Sequence, residues 1–234
     1  MRVNALQDAS VRTPATKMGL NVIMMGAPGA GKGTQAGRFA HERGLPKIST
    51  GDMLREAITA GDPVALAVKG RMDRGELADD ATIIAIVRKR LQQPDAKGGF
   101  VLDGFPRTVA QARALDEIMR ERNNGPLIVV DVMVPPDELV RRLATRRICV
   151  NCQTNADAKA TDRCLKCGGR LEQRTDDNQD VVRERLSVYV RETKPVLEFY
   201  RERPTFREVN GAQAPDKVAQ ELDMMINDAA AARA

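Results

Sequence analysis

The sequence has no tryptophan, aromatic residues make up only 3% of it, and its only histidine, His41, lies in no motif. Few aromatic rings disfavour the stacking platforms on which single-stranded nucleic acids bind. No apolar run approaches the roughly 20 residues that a membrane-spanning helix needs. We therefore expect neither a nucleic-acid partner nor a membrane partner, and we interpret His41 as a structural or surface residue.

Charge is moderate and spread along the chain. The 234 residues include 29% charged and 42% hydrophobic residues, a balance typical of globular proteins, and the formal net charge is +5. Lysines and arginines are scattered rather than collected in one tract, which favours a small polyanionic ligand over nucleic acid. A chain of this length can form one compact α/β unit.

Residues 1–17 lack the apolar core of a secretory signal and carry three basic residues against one acid. The favoured interpretation is a disordered leader, or an upstream start codon with the working start at Met18, before a domain that occupies residues 18–234. This interpretation predicts a cytoplasmic protein. An organellar transit peptide is the alternative.

Strand and helix patterns alternate along the chain. Short apolar runs predict strands at residues 20–25, 99–102, 127–134 and 206–209. Helical patterns lie between and after them, at residues 32–43, 81–91, 109–122, 136–147 and 215–227, with an alanine-rich end expected to fray. Such alternation predicts an α/β fold, a parallel sheet with helices on both faces. Two polar segments interrupt it and are interpreted as insertions: residues 49–78, without a strand of their own, and residues 145–177.

A glycine-rich loop follows the first predicted strand. Gly26, Gly31 and Lys32 have the G-x-x-x-x-G-K spacing, between a predicted strand and a predicted helix. Glycines let backbone N–H groups surround phosphate oxygens, and the helix N-terminus favours the same anion. The loop thus predicts a P-loop kinase core that binds a nucleoside triphosphate and transfers a phosphoryl group. The expected triphosphate ligands are Gly29, Ala30, Gly31, Lys32, Gly33 and Thr34.

The loop departs from the usual motif at one position. Gly33 stands where a serine or threonine normally holds Mg²⁺, and the hydroxyl comes one residue later, at Thr34. Asp103, just past a predicted buried strand, is the best candidate to hold the metal through water.

Three motifs together resemble the adenylate kinase family in its long form: GAPGAGKGT (residues 26–34), STGDMLR (residues 49–55) and LDGFPR (residues 102–107). The resemblance covers residues 18–227. It implies a core, a mobile AMP-binding insertion at residues 49–78 and a mobile lid at residues 145–177. It also implies ATP and AMP or ADP as ligands, with an AMP and phosphate site formed by Thr50, Arg55, Glu76, Leu77, Ala78, Gly104, Phe105, Pro106, Arg107, Gln111, Arg174 and Arg185.

Catalysis of phosphoryl transfer rests on positioning and positive charge. The resemblance assigns the phosphates to Lys32, Arg107, Arg142, Arg146, Arg174 and Arg185, and Asp103 is added as the magnesium candidate. Arg142 and Arg146 are expected to share one face of a helix. Arg146 and the backbone of Gln213 would also contact ATP, while Asp176 and Asp177 are expected to pair with arginines.

All four cysteines lie in the second insertion, as Cys149-x₂-Cys152-x₁₁-Cys164-x₂-Cys167. Two C-x-x-C pairs in a short polar segment predict a structural Zn²⁺ site with four thiolate ligands. Two disulfides and an iron–sulfur centre are the alternatives. The segment after the second cysteine lacks the aromatic residue that many relatives place there, so selectivity for ATP over GTP is less secure.

These observations predict a monomeric ATP:AMP phosphotransferase that uses Mg²⁺ and carries a zinc lid. A sister kinase that phosphorylates UMP or CMP, or that uses GTP, is the near rival. A nucleotide-gated regulator that binds nucleic acid through its cysteine pairs is the distant one.

Overall fold

The computed structural model describes residues 19–152, 154–156 and 160–231. Residues 1–17, interpreted above as a leader, lie outside this part of the chain. Among the described residues, no helix combines the length and the apolar character required to cross a membrane.

The strands alternate with helices along most of the described chain. The strands are β1 (Leu20–Met25), β2 (Lys47–Ser49), β3 (Gly99–Asp103), β4 (Leu127–Met133), β5 (Arg147–Cys149), β6 (Leu171–Gln173) and β7 (Phe206–Asn210). The helices are α1 (Lys32–Arg43), α2 (Thr50–Thr59), α3 (Pro63–Asp73), α4 (Asp80–Leu91), α5 (Val109–Arg122), α6 (Pro136–Thr145), α7 (Gln179–Val188), α8 (Lys194–Arg201) and α9 (Pro215–Ala231).

A five-stranded sheet in the order β2-β3-β1-β4-β7 forms the centre of the described structure, and all of its pairings are parallel. Alternate residues of β1 enter different cores: Val22 and Met24 pack with α1 and α9, whereas Ile23 and Met25 pack with α5 and α8. Both faces are therefore covered by helices, as the apolar strands require. The predicted α/β fold of a P-loop kinase is confirmed.

Several helices begin with a side-chain cap directly after a strand or loop. Ser49 Oγ accepts a hydrogen bond from Asp52 N at 3.3 Å, and Asp79 and Thr108 cap α4 and α5 in the same way. Each cap satisfies one backbone N–H group of the first helical turn. The caps fix where these helices begin, at the same end of the parallel sheet as the glycine-rich loop.

The two insertions differ in construction. Residues 49–78 contain α2 and α3, whose apolar residues join the main core. Residues 145–177 form the antiparallel pair β5–β6 and a separate small core made mainly of Cys149, Ala160, Cys164 and Leu171. So small a core supplies little hydrophobic stabilisation, which agrees with the composition of this segment.

Three expectations about element boundaries are corrected. The helix predicted at residues 136–147 ends at Thr145, and Arg146 has extended backbone angles (φ −67°, ψ 129°) that lead into β5. Ser49 ends the strand β2, so the first insertion is not free of strand. The last helix continues through its alanines to Ala231 instead of fraying after residue 227, because Ala229 is buried against the core.

Candidate functional site

The glycine-rich loop connects β1 to α1 at the carboxyl edge of the sheet. Gly26, Gly29 and Gly31 have positive φ angles of 133°, 87° and 93°. A Cβ at Gly26 would lie 2.6 Å from Val132 O, so a side chain is excluded there by space as well as by conformation. Because α1 begins at Lys32, the loop is followed directly by the positive end of a helix. The loop has the local structure of an anion site.

Lys32 reaches back over this loop. Its Nζ donates hydrogen bonds to Gly26 O at 2.7 Å and Ala27 O at 2.8 Å. Burial is the largest cause of a lowered pKa at Lys32; Asp103 opposes it, the charges of Arg107 and Arg185 add to it, and the resulting pKa is about 8. A buried cation close to other cations is stabilised when an anion binds beside it. The position of Lys32 is therefore suited to a phosphate site.

Asp103 ends β3 beside the loop. Its Oδ2 lies 3.6 Å from Lys47 Nζ, and a Cβ added at Gly33 would lie 3.1 Å from the same oxygen. The structure thus brings together the residue that departs from the usual motif and the carboxylate predicted to compensate for it. The ion pair with Lys47 is a neighbour that the sequence analysis missed.

A cavity lies between the first insertion and the sheet edge. Thr50 Oγ1 donates to Gly104 O at 2.9 Å at its border, and the buried Gln111 forms part of its wall. Predicted acceptor-site residues that line it are Thr50, Arg55, Glu76, Leu77, Ala78, Gly104, Arg107, Gln111, Arg174 and Arg185.

A second cavity adjoins the first. Lys32 and Gly26 of the loop line it, together with Phe105 and Pro106, the two predicted acceptor-site residues that the first cavity does not include. Both cavities share Gly75, Leu77, Gly104, Arg107 and Arg185. A molecule in the first cavity would therefore meet the glycine-rich loop across these two arginines.

The predicted lid arginines are held by acids. Arg146 forms a bidentate ion pair with the buried Asp177, through Nε at 2.7 Å and Nη2 at 2.5 Å. Arg185 Nη1 donates a hydrogen bond to Asp177 Oδ1 at 2.8 Å. Arg174 forms a bidentate ion pair with Asp176, in which both N···O distances are 2.9 Å. The prediction that these two acids pair with arginines is confirmed.

Arg142 and Arg146 do not share a helical face, because α6 ends before Arg146. Arg142 instead pairs with Glu138 at 2.7 Å, and its Nη1 would lie 3.9 Å from a Cβ at Gly31 of the glycine-rich loop. Arg146 turns toward Asp177. Arg142 is thus positioned by a helix and Arg146 by extended backbone.

Positive charge is concentrated where the cavities meet. Burial and the nearby charges of Arg55, Arg146 and Arg185, against the opposing effect of Asp176, together lower the pKa of Arg174 to about 10. Burial and Arg185 also lower the pKa of Arg107. Cations that are desolvated and close together repel one another unless an anion joins them. The arrangement fits phosphate groups bound at the junction.

A family model described as adenylate kinase matches residues 24–205. The chain belongs to the adenylate kinase family. This match spans the glycine-rich loop, both cavities and the insertion with the four cysteines.

The matches to three curated relatives extend over nearly the full length of each relative. The adenylate kinase of Archaeoglobus fulgidus is 46% identical over 212 residues, which are 88% of this chain and 98% of the relative. The adenylate kinase of a Geobacillus strain is 48% identical over 209 residues, 87% of this chain and 96% of the relative. The adenylate kinase of Bacillus cytotoxicus is 47% identical over 213 residues, 88% and 98% of the two chains.

In this member of the adenylate kinase family, the sulfur atoms of Cys149, Cys152, Cys164 and Cys167 lie within 4.8 Å of one another. Two of the Sγ–Sγ distances are 3.4 and 3.6 Å, and all four thiols are free. Four thiolates around Zn²⁺ at about 2.3 Å form a tetrahedron with sulfurs about 3.8 Å from one another. The donor set and its spacing therefore fit a four-coordinate zinc ion.

Two further segments border the glycine-rich loop. Asn155, on the segment that follows the second cysteine, donates from Nδ2 to Thr34 Oγ1 of the glycine-rich loop at 3.3 Å. Gln213 lies in the turn between β7 and α9, where its Nε2 donates to Asn210 O at 3.2 Å. A Cβ at Gly211 in this turn would lie 3.3 Å from Ala30 O, so the turn packs against the loop.

Several polar residues near the two cavities were not predicted from the sequence. Asp52 pairs with Arg55, and Asp80 accepts a hydrogen bond from Gln111 Nε2 at 2.8 Å. Asp131 on β4 is buried, and burial followed by Glu208 raises its pKa to about 6. Asp52 lies in the STGDMLR motif but was assigned no role there, whereas Asp80 and Asp131 belong to no recognisable motif. An acid in a helical first turn was the one available signal for Asp52 and Asp80.

Proposed function

We propose that this protein transfers the terminal phosphoryl group of Mg-ATP to AMP, giving two ADP, and so maintains the balance of adenine nucleotides. The observation that carries the proposal is the junction of two cavities at Arg107 and Arg185 beside Lys32. A nucleotide donor on the glycine-rich loop and a nucleotide acceptor in the first cavity would meet there. An enzyme that only hydrolysed its triphosphate would need no second nucleotide cavity.

The chain's own residues would act by positioning and by charge. In the proposed complex the loop amides and Lys32 hold the donor phosphates, while Arg55 and Arg107 hold the acceptor phosphate. Arg142, Arg146, Arg174 and Arg185 surround the phosphoryl group, on whose oxygens charge is spread during transfer. No general base is required, because the acceptor phosphate is already an anionic nucleophile.

Residues 49–78 and 145–177 would serve as the AMP-binding insertion and the lid. The hydrogen bond between Asn155 and Thr34 supports this role for the lid, because it joins the second insertion to the donor loop. Closure of both insertions over the phosphates would exclude the water that otherwise hydrolyses ATP. Gln213 would contact the ATP adenine through its backbone.

Two metals are part of the proposal. Magnesium bound to the ATP phosphates would neutralise charge on the transferring group, and Asp103 at the loop edge would hold it through water. Zinc would be held by the four cysteines and would stabilise the lid, whose own core is small. Four thiolates complete its coordination, which indicates a structural role rather than a catalytic one.

We further propose that the protein is a monomer, because residues of one chain line both cavities. A cytoplasmic location is part of the same proposal. The test of the whole proposal is a phosphotransfer assay with purified protein, with ATP and GTP as donors and AMP, CMP and UMP as acceptors. ADP formation that requires AMP and Mg²⁺ is expected. Faster phosphorylation of CMP or UMP would replace the proposal with the sister kinase activity, and faster turnover with GTP would reassign the donor.

A further inference from the structure

The side-chain amide of Gln111 lies between two fixed partners. Its Nε2 donates to Asp80 Oδ1 at 2.8 Å, and its Oε1 accepts from the backbone N–H of Arg107 at 2.8 Å. Gln111 is 2% exposed and lines the first cavity. Each end of the amide is thus bound to the protein before any ligand arrives.

These two partners permit one amide orientation only. An ionised carboxylate accepts hydrogen bonds and cannot donate them, whereas a backbone N–H donates and cannot accept. Rotation of the amide by 180° would place Oε1 against the carboxylate of Asp80 and Nε2 against the N–H of Arg107. Both hydrogen bonds would be lost, including one to a charged acceptor, the stronger kind.

Asp80 is itself held in place. Its Oδ2 accepts from Thr108 Oγ1 at 3.0 Å, and the same hydroxyl oxygen accepts from the backbone N–H of Gln111 at 3.2 Å. Asp80 begins α4 and Thr108 caps α5, so the carboxylate joins the first turns of two helices. Both carboxylate oxygens are engaged, which fixes the acceptor that faces Gln111.

An amide nitrogen has a second N–H, and an amide oxygen has a second lone pair. In the fixed orientation Gln111 therefore offers the cavity a donor and an acceptor in a defined order. Adenine presents an acceptor (N1) beside a donor (N6–H₂), while hypoxanthine and guanine present the reverse pair, N1–H beside O6. One amide orientation is complementary to adenine, and the rotated orientation is complementary to the other two bases.

We propose that Asp80 is a positioning residue that sets acceptor-base specificity by holding the Gln111 amide in the orientation complementary to adenine. The inference rests on the proposed function, in which the first cavity binds AMP. It adds that discrimination against 6-oxopurine monophosphates depends on an acid that need not touch the nucleotide.

The test compares AMP with IMP, which differs from AMP only at the base edge in question. In Asp80→Asn the acceptor is replaced by an amide that can face Gln111 with either its oxygen or its nitrogen. We expect the ratio of kcat/KM for AMP to kcat/KM for IMP to fall about tenfold, as one charge-assisted hydrogen bond ceases to select an orientation. The fall should come from weaker AMP use and from a gain in IMP use.

Asp79→Asn is the matched control. Asp79 precedes Asp80, but its carboxylate caps α4 by accepting from Thr82 N at 2.9 Å, a role that asparagine also performs. We expect Asp79→Asn to leave the AMP to IMP ratio within about twofold of the parent protein. Asp80→Ser, whose hydroxyl can donate or accept, should reproduce the loss of discrimination seen with Asp80→Asn.

Proportional losses with AMP and IMP in the Asp80 variants would overturn the inference, because a merely structural role lowers both activities together. An unchanged ratio would overturn it as well. The proposed function fails separately, if the parent protein does not form ADP from AMP and ATP. Circular dichroism and melting curves of each variant establish that the ratios are measured on folded protein.

Discussion

Gly33 lies directly against the carboxylate of Asp103: a Cβ at this glycine would stand 3.1 Å from Asp103 Oδ2. That distance is shorter than an ordinary van der Waals contact, so a side chain at position 33 would compete with the carboxylate for space. The absence of a side chain at Gly33 and the position of the Asp103 carboxylate are therefore linked. The acid occupies the region that a serine or threonine side chain would otherwise enter.

The first prediction concerns Gly33→Ala. The new methyl group should displace the Asp103 carboxylate, lower kcat about 10- to 100-fold and raise the Mg²⁺ concentration needed for half-maximal rate. Gly37→Ala in the same helix is the control, because its Cβ would come no closer than 3.9 Å to Lys47 Cδ. The control should keep its activity and gain about 0.5–1 kcal/mol of stability. Equal activities of the two variants would contradict the role given to Asp103.

The second prediction follows from the pKa of about 8 that burial and neighbouring arginines give Lys32. Below that pH the lysine is charged, so kcat/KM for ATP should be constant and then fall up to tenfold per pH unit above about 8. Bound phosphates favour the charged lysine, so kcat should fall only at higher pH. The variant Lys32→Arg should have low activity, and its kcat/KM should show no fall near pH 8. A parent profile that stays level to pH 9.5 would contradict the assignment.

The lowered pKa of Lys32 also affects the free energy of unfolding, which should rise with pH in the range where kcat/KM falls. The unfolded chain binds this proton more tightly, with the ordinary lysine pKa of 10.5, than the folded chain does with a pKa of about 8. Protonation of Lys32 therefore opposes folding below pH 8, and this penalty is relieved as the pH rises toward 10.5. Lys32→Met should be more resistant to urea than the parent at pH 7, with the difference shrinking as the pH approaches 10.5.

Local sequence was sufficient for the loop and for four of the five strands of the main sheet, because their signals are local; the three-residue strand β2 was not predicted. Apolar runs mark buried strands, and glycines mark the positions where φ is positive. The strands β5 and β6 have three residues each, too few to show periodicity. Arg146 continues the helical pattern of Leu139 and Leu143, but the chain leaves the helix there.

Sequence predicted that Asp177 pairs with arginines, but it could not supply which distant side chains meet. Arg146 meets Asp177 across 31 residues, and Gln111 meets Asp80 across 31 residues as well. Neither acid belongs to a motif whose spacing indicates its partner. Asp80 follows an N-cap acid and so looks like one more charge in a helical first turn, although the fold uses it to hold an amide.

The third prediction concerns the metal proposed for the lid, the second insertion at residues 145–177. Elemental analysis should find one zinc per chain, since the four sulfur atoms lie within 4.8 Å of one another. Chelation, or Cys164→Ala, should make the lid susceptible to limited proteolysis while the core remains folded, because the lid's own apolar core is small. Lys166→Ala, an exposed residue between the same cysteines, should retain the metal. A metal-free lid that resists protease would contradict the zinc site.

The fourth prediction concerns Asp177, whose side chain is fully buried and pairs with both Arg146 and Arg185. Asp177→Asn removes the negative charge while two largely buried guanidinium groups remain, and breaking a buried pair in this way costs about 3–5 kcal/mol. Urea denaturation should show a loss of this size. The freed arginines should also lose their fixed position, so kcat should fall more than KM for ATP rises.

Asp180→Asn is the control for that change, because the Asp180 side chain is 94% exposed and its nearest basic partner, Arg183, is 3.9 Å away. Exposed pairs of this kind contribute about 0–1 kcal/mol, so its unfolding curve should stay close to that of the parent. Similar curves for the Asp177 and Asp180 variants would show that the Arg146–Asp177–Arg185 group does not stabilise the fold. A stable Asp177→Asn with reduced kcat would instead confine the role of Asp177 to orienting the arginines.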